Sequence, residues 1–323
     1  MEALVWLGGD RLEIEDLPSE VPKSDETLFT VSLAGICGSD LHAYRGSGGK
    51  RVPPLILGHE AVGRIPGDDR LFVVLPLEGC HHCTLCASGQ ENLCNERQLL
   101  GLDRPGTFAQ EVVVPTSALV AVPEGLSADV AALTEPLATS LAAFKGLELG
   151  PDTKVAVIGC GSIGLLAIYA AAFTGAQVVA TDPMTERSEA ALELGATSVV
   201  ASADDFAAGS MDIVIDAVGI EATWGAGMRA VRNGGAVVIV GLGQFSGKMQ
   251  IGDLVRRGIS VRGTYAYTRA DFEAALALLA KSPPTIGWLE RLPLSEGATA
   301  FADLAGQRTN AVKILLQPVG SSD

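Results

Sequence analysis

Basic residues are scarce in this sequence. Its 323 residues carry 23 Lys and Arg against 38 Asp and Glu, a net charge of −15. A surface of that sign repels phosphate backbones and anionic lipid, so neither nucleic acid nor a membrane is expected as a partner. Charged residues amount to only 19% and apolar residues reach 48%, so the polar excess that marks disorder is missing. The chain has material and length for two cored domains. A basic leader is absent as well: Met1 to Leu7 runs straight into Gly8-Gly9-Asp10-Arg11, which does not read as a signal peptide, and a cytoplasmic protein is expected. Internal repeats and low-complexity tracts are not found. Cysteine is sparse too, six in all, too few for a disulfide scaffold. Four of them crowd into the fifteen positions from Cys80 to Cys94, a distribution that suits metal in a reducing compartment.

What is present changes texture along the chain. Up to about residue 125, short apolar runs such as Leu28 to Leu33, Leu71 to Leu75 and Gln110 to Pro115 alternate with Gly, Pro and Asp, which predicts a β-rich barrel or sandwich. From Ser127 the sequence becomes Ala-rich and helical. It then alternates helices with apolar strands at Lys154 to Gly159, Gln177 to Thr181, Thr197 to Ala201, Asp212 to Asp216, Ala236 to Val240 and Ser260 to Thr264. Six strands so arranged predict a doubly wound parallel sheet, and the chain as a whole reads as α/β. A helix, Ala270 to Ala280, and a closing strand, Ala311 to Gln317, are too little for a core of their own and are expected to return to the first domain. The expected domains are 1–134 together with 267–323, and 135–266. The stretch Val155 to Ala180 holds no charge over a length that could cross a bilayer, but the Gly159-Cys160-Gly161 break predicts two strands and a buried helix instead.

That break belongs to Gly159-Cys160-Gly161-Ser162-Ile163-Gly164, a G-x-G-x-x-G standing where a strand turns into a helix. Gly159 permits the tight turn, Gly161 lets a pyrophosphate approach the backbone, and Gly164 packs helix on strand. The first amides of the helix, at Ser162 and Ile163, then face phosphate. Asp182 ends the next strand about twenty residues on, where a carboxylate accepts from the adenosine ribose hydroxyls and repels a 2′-phosphate. NAD is therefore favoured over NADP, with Arg187 as a nearby cation that could tolerate the latter.

Cys80, Cys83, Cys86 and Cys94 follow C-x2-C-x2-C-x7-C in a polar loop. Four thiolates at this spacing can converge tetrahedrally on zinc, and with every position filled the site would stabilise a loop and do no chemistry. A disulfide-linked loop or an iron–sulfur cluster is the alternative. His81 and His82, between these ligands, read as solvated. A second set is dispersed: Cys37, His59-Glu60, and Glu135 in Leu133-Thr134-Glu135-Pro136. Spacing alone does not unite these residues.

With these motifs together, the chain resembles the zinc-containing medium-chain alcohol dehydrogenase family, closest to its sorbitol and threonine dehydrogenase-like branch, over nearly its whole length. The resemblance is carried by Gly35-Ile36-Cys37-Gly38-Ser39-Asp40, Gly58-His59-Glu60-Ala61-Val62-Gly63, the cysteine lobe ending Glu91-Asn92-Leu93-Cys94, and Leu133-Thr134-Glu135-Pro136. It implies a GroES-like catalytic domain beside a Rossmann domain, with one catalytic and one structural zinc and NAD as cofactors. It further implies that Cys37 and His59 bind the catalytic zinc, with Glu60 and Glu135 sharing the remaining protein position or a hydrogen bond to bound water. Ser39 and His42 would relay the alcohol proton, and Val218 and Gly241 would join the NAD site. The implied substrate is a small secondary alcohol or its ketone, of polyol, sugar-derived or hydroxy amino acid type, and the implied assembly is a homodimer or homotetramer. Tyr44, Tyr265 and Tyr267 are candidates for substrate contact or for packing. The connection Arg64-Ile65-Pro66-Gly67-Asp68-Asp69-Arg70 is shorter than the family's, which predicts an altered barrel edge with the metal residues intact. Two other readings remain: a zinc-free quinone or enoyl reductase on the same fold, and a non-enzymatic NAD-binding sensor.

Overall fold

The computed structural model describes residues 1–46 and 49–318; the last five residues of the tail assigned to the first domain lie outside them. The chain divides into two units, Met1–Glu135 with Thr268–Asp323, and Pro136–Tyr267.

In the first unit the long strand Glu26–Gly35 is the organiser. Its apolar residues Phe29, Val31, Leu33 and Ala34 are buried, and it pairs antiparallel with Glu60–Arg64, Glu111–Pro115 and the C-terminal strand Lys313–Gln317. The register sets Gly35 opposite Glu60 on one neighbour and Leu315 on the other. The end of this strand, just before Cys37, is thus flanked by both the Glu60 strand and the chain's last strand. Leu289–Pro293 adds in parallel to Lys313–Gln317. The core beneath is built from Leu4, Phe29, Leu57, Phe108, Phe301 and Leu316, with Phe108 and Phe301 edge to face at 5.8 Å, a favoured aromatic geometry. Tyr44 packs against Phe301 with ring centroids 5.7 Å apart. The short connection after Arg64 turns at Gly67, where Asp68 pairs with Arg70 at 2.7 Å.

The second unit is a six-stranded parallel sheet in the order Ser198–Val199, Gln177–Thr181, Lys154–Ile158, Met211–Asp216, Val231–Ile239, Ser260–Gly263. Numbered along the chain this is 3-2-1-4-5-6, the Rossmann arrangement, and its order reverses between Lys154–Ile158 and Met211–Asp216. The helix Ser162–Phe173 buries Leu165, Leu166, Ile168 and Tyr169, which accounts for the uncharged stretch noted in the sequence. Among the described residues no helix is long and apolar enough to cross a membrane.

Candidate functional site

The strand Glu26–Gly35 delivers Cys37 to the N-cap of the helix Gly38–Tyr44. There the Asp40 carboxylate accepts from the Cys37 backbone N–H at 3.1 Å, fixing the turn. Glu60 opens the neighbouring strand and His59 immediately precedes it, 1% and 4% exposed, and donor atoms of Cys37, His59 and Glu60 all lie within 4.8 Å of one another. Burial alone would lower the pKa of His59, but Asp40, Cys37 and Glu135 outweigh it and hold the imidazole at about 10. A buried pocket of anionic groups that favours positive charge to this degree is a site fitted for a cation. The donor set, one thiol, one imidazole and carboxylates, is that of catalytic zinc. Nδ1 of His59 stands 3.6 Å from Asp40 Oδ1, and both atoms are buried without a hydrogen-bond partner among the described residues. An aspartate beside the imidazole is the outer partner that orients a ligating histidine. Glu135, in the first turn of the helix Thr134–Phe144 and 9% exposed, also acts on His59 by charge.

Ser39 and His42 lie on the same short helix. Arg51 reaches it from the following loop, donating to the Gly101 carbonyl at 2.9 Å and, over a long 3.4 Å, to Ser39 Oγ. Its guanidinium is also 3.5 Å from Asp40 Oδ1. Burial, then Arg45 and Arg51, lower the pKa of His42 below its ordinary value.

Lys313 completes the centre. Fully buried, its ammonium contacts Glu60 Oε2 and donates to the Ile36 carbonyl at 3.0 Å. Burial opposes its charge, but Glu60, Cys37 and Glu135 raise its pKa. Asp40, Arg51 and Lys313 were given no role by the sequence. Their roles come from partners distant in the chain, although a lone lysine in the apolar run Val312-Lys313-Ile314-Leu315-Leu316 signals a buried acidic partner.

The cysteine lobe is compact. Sγ of Cys80 and Cys86 are 4.0 Å apart, and those of Cys83 and Cys94 are 3.8 Å apart. Four sulfurs at ~2.3 Å from a tetrahedral zinc sit ~3.8 Å from one another, so the four thiols fit the ion. Backbone amides of Cys80 and Glu96 point at Cys94 Sγ, each at 3.4 Å, and bring its pKa down to about 7. His81 and His82 have side chains 72% exposed.

In the parallel sheet, Gly159 adopts φ +90°, and a side chain there would meet Val218 Cγ2 at 2.5 Å. Gly164 packs so closely on the Gly159 carbonyl that a Cβ would overlap it, whereas nothing lies within 4 Å of the position a Gly161 Cβ would take. Ser162 opens the helix, and the Ile163 carbonyl accepts from Ser140. Gly241 is packed against the Val218 backbone. Asp182 accepts from the amides of Cys160 at 2.8 Å and Met184 at 2.9 Å, and Arg187 stands 3.9 Å from it. Tyr267 is buried and Tyr265 is 38% exposed.

A family profile described as alcohol dehydrogenase GroES-like domain matches residues 23–124, and one described as zinc-binding dehydrogenase matches residues 162–281. The chain is 33% identical to an L-galactonate-5-dehydrogenase of Escherichia coli (strain K12), over 82% of this chain and 83% of that one. It is also 33% identical to a sorbitol dehydrogenase of Bacillus subtilis (strain 168), over 75% of each. Among solved structures, the acetophenone reductase of Geotrichum candidum NBRC 4597 in complex with NAD superposes with a TM-score of 0.90 at 28% identity, over 98% of this chain and 96% of that one. The chain belongs to the zinc-containing medium-chain alcohol dehydrogenase family.

Proposed function

We propose that this protein is a zinc-dependent dehydrogenase that transfers a hydride between a secondary alcohol, of polyol or sugar-derived type, and NAD. The observation that carries the reading is the buried meeting of Cys37, His59 and Glu60. Cys37 and His59 hold the zinc, Glu60 and Glu135 are the carboxylates beside it, and the cysteine lobe holds a second, structural ion. The catalytic zinc supplies Lewis acidity toward the alcohol oxygen. Ser39 takes up the alcohol proton and His42 passes it on, a task for which a lowered pKa keeps the imidazole neutral and able to accept. The turn at Gly159, Gly161 and Gly164, with the amides of Ser162 and Ile163, receives the pyrophosphate of NAD. Asp182 receives the adenosine ribose, and Val218 and Gly241 wall the same site. The alcohol would give a hydride from its carbon to the nicotinamide and the proton of its hydroxyl oxygen to the relay, yielding ketone, NADH and one proton.

The substrate class is supported by the relatives acting on sorbitol and L-galactonate, with hydroxy amino acids as the neighbouring class. A homodimer or homotetramer in the cytoplasm is the proposed setting. The test is NADH formation by zinc-loaded protein with NAD across polyols, cyclitols, sugar phosphates, threonine and simple secondary alcohols, repeated with NADP and after chelation. Chelator-sensitive NADH formation with one class is expected. Silence across the panel with a full zinc complement would sink the reading.

A further inference from the structure

A lobe whose metal positions are all taken by sulfur is harder to fill than to keep filled, because the ion must shed its water and meet four thiols in turn. Here the four are unequally placed: Cys94 is 1% exposed, whereas Cys80, Cys83 and Cys86 are partly exposed. Cys80 also belongs to two groupings. Its sulfur stands with those of Cys83, Cys86 and Cys94, and separately within 4.8 Å of a ring nitrogen of His82 and a carboxylate oxygen of Glu96, which are within the same distance of each other.

The imidazole is oriented for such a grouping. Nδ1 of His82 is 2.7 Å from the Cys80 carbonyl, and since a carbonyl only accepts, Nδ1 carries the hydrogen. In the neutral ring Nε2 then keeps a free lone pair, and Nε2 is the atom 3.7 Å from Glu96 Oε1. A backbone carbonyl on the far nitrogen is a common way of fixing a ligating histidine. Glu96 is anchored through its main chain, whose N–H donates to Cys94 Sγ at 3.4 Å, while its side chain is 68% exposed. So exposed an ion pair adds little stability. The other histidine pair of the lobe, His81 with Glu78 at 3.6 Å, joins no three-donor grouping among the described residues.

We propose that Cys80, His82 and Glu96 form an entry site for the structural metal: they receive a hydrated divalent ion such as zinc at the surface and pass it inward, with Cys80 bound throughout. Thiolate, imidazole and carboxylate are all zinc donors, and three of them leave a position for the next sulfur. Cys80 gives up its proton to water when the ion arrives. Cys83, Cys86 and Cys94 then bind in turn, each losing its proton to water, as Glu96, His82 and the remaining water leave the ion. The ion keeps its charge and nothing is oxidised. This rests on the reading of the lobe as a zinc site, and goes beyond it by assigning the route by which that ion enters and leaves.

The test is metal exchange in the zinc-loaded full chain. Excess cadmium is added, thiolate-to-cadmium absorption follows entry into the lobe, and a zinc-sensitive dye follows the zinc released. H82A/E96Q is expected to slow both signals about tenfold or more, with the final cadmium content and the melting temperature equal to the parent's. H81A/E78Q removes the same two kinds of side chain from the same lobe and should exchange at the parental rate, which separates a ligand role from general attraction of cations to an acidic surface. H82A and E96Q alone should each slow exchange, a comparison that holds even if the double variant does not fold. The proposal is overturned if H82A/E96Q exchanges as fast as the parent, if H81A/E78Q slows exchange equally, or if H82A/E96Q ends with less metal, which would make these residues permanent ligands. Parent protein holding one zinc per chain, with C94S holding the same, would overturn the reading of the lobe and this inference together.

Discussion

In the proposed relay His42 must be neutral to accept a proton, so its pKa would set the acid limb of the rate profile. Burial lowers that pKa first, and Arg45 and Arg51 lower it further; each cation disfavours a second positive charge beside it. Below the folded-state pKa the imidazole is protonated and the relay stops, so lowering the pKa extends activity toward acid. Arg45 lies at the surface and donates to the Ala305 carbonyl. R45Q is expected to move the acid limb of kcat/KM to higher pH with the alkaline side unchanged, and an unmoved limb would remove His42 from the relay. In the proposed NAD site Asp182 would have two duties, because its carboxylate also accepts two backbone amides. D182A should therefore narrow the preference for NAD over NADP and also lower thermal stability, by about 1–3 kcal/mol for the amides left unpaired. If the nucleotide preference stays the same while stability falls, Asp182 has only the structural duty.

The strand, turn and helix from Lys154 to Phe173 separate two uses of glycine. Gly164 is needed for packing, since a Cβ there overlaps the Gly159 carbonyl, whereas Gly161 faces open space. G164A is expected to cost about 1–3 kcal/mol of stability through overpacking, seen as a lower melting temperature. G161A should melt as the parent does and lose NAD affinity; equal melting losses in both variants would refute the distinction. This turn was legible in the sequence because local spacing dictates it. The parallel strands were legible too, as apolar runs closed by Gly or Asp. Their edges were less so: Val231–Ile239 begins five residues before the expected Ala236, since the polar Arg232-Asn233-Gly234-Gly235 reads as a loop, and the expected Thr197 to Ala201 strand is only Ser198–Val199. That Lys313 needs a buried acidic partner is legible from its apolar run, but which carboxylate it meets is not. No period or motif links two residues 253 positions apart, and strand register brings them together.

At the scale of the whole molecule, the charge of −15 acts on a dinucleotide that is itself anionic. Long-range repulsion slows encounter and is screened once the Debye length shrinks to about 8 Å near 0.15 M salt. The association rate for NADH is accordingly expected to rise with ionic strength in stopped-flow fluorescence. A rate that falls with salt would mean that a local basic surface, not the net charge, governs approach.

The buried lysine on the closing strand also has a meaning in time. Glu60 and Lys313 are 253 residues apart, and a ribosome adding about 5–20 residues per second takes about 13–50 s between them. A nascent chain thus carries Glu60 for that interval before its buried partner has been made. The last strand is therefore a late-arriving partner: the strand that ends at Gly35 gains its Lys313–Gln317 neighbour, and Glu60 its buried ammonium, only when the polypeptide is finished.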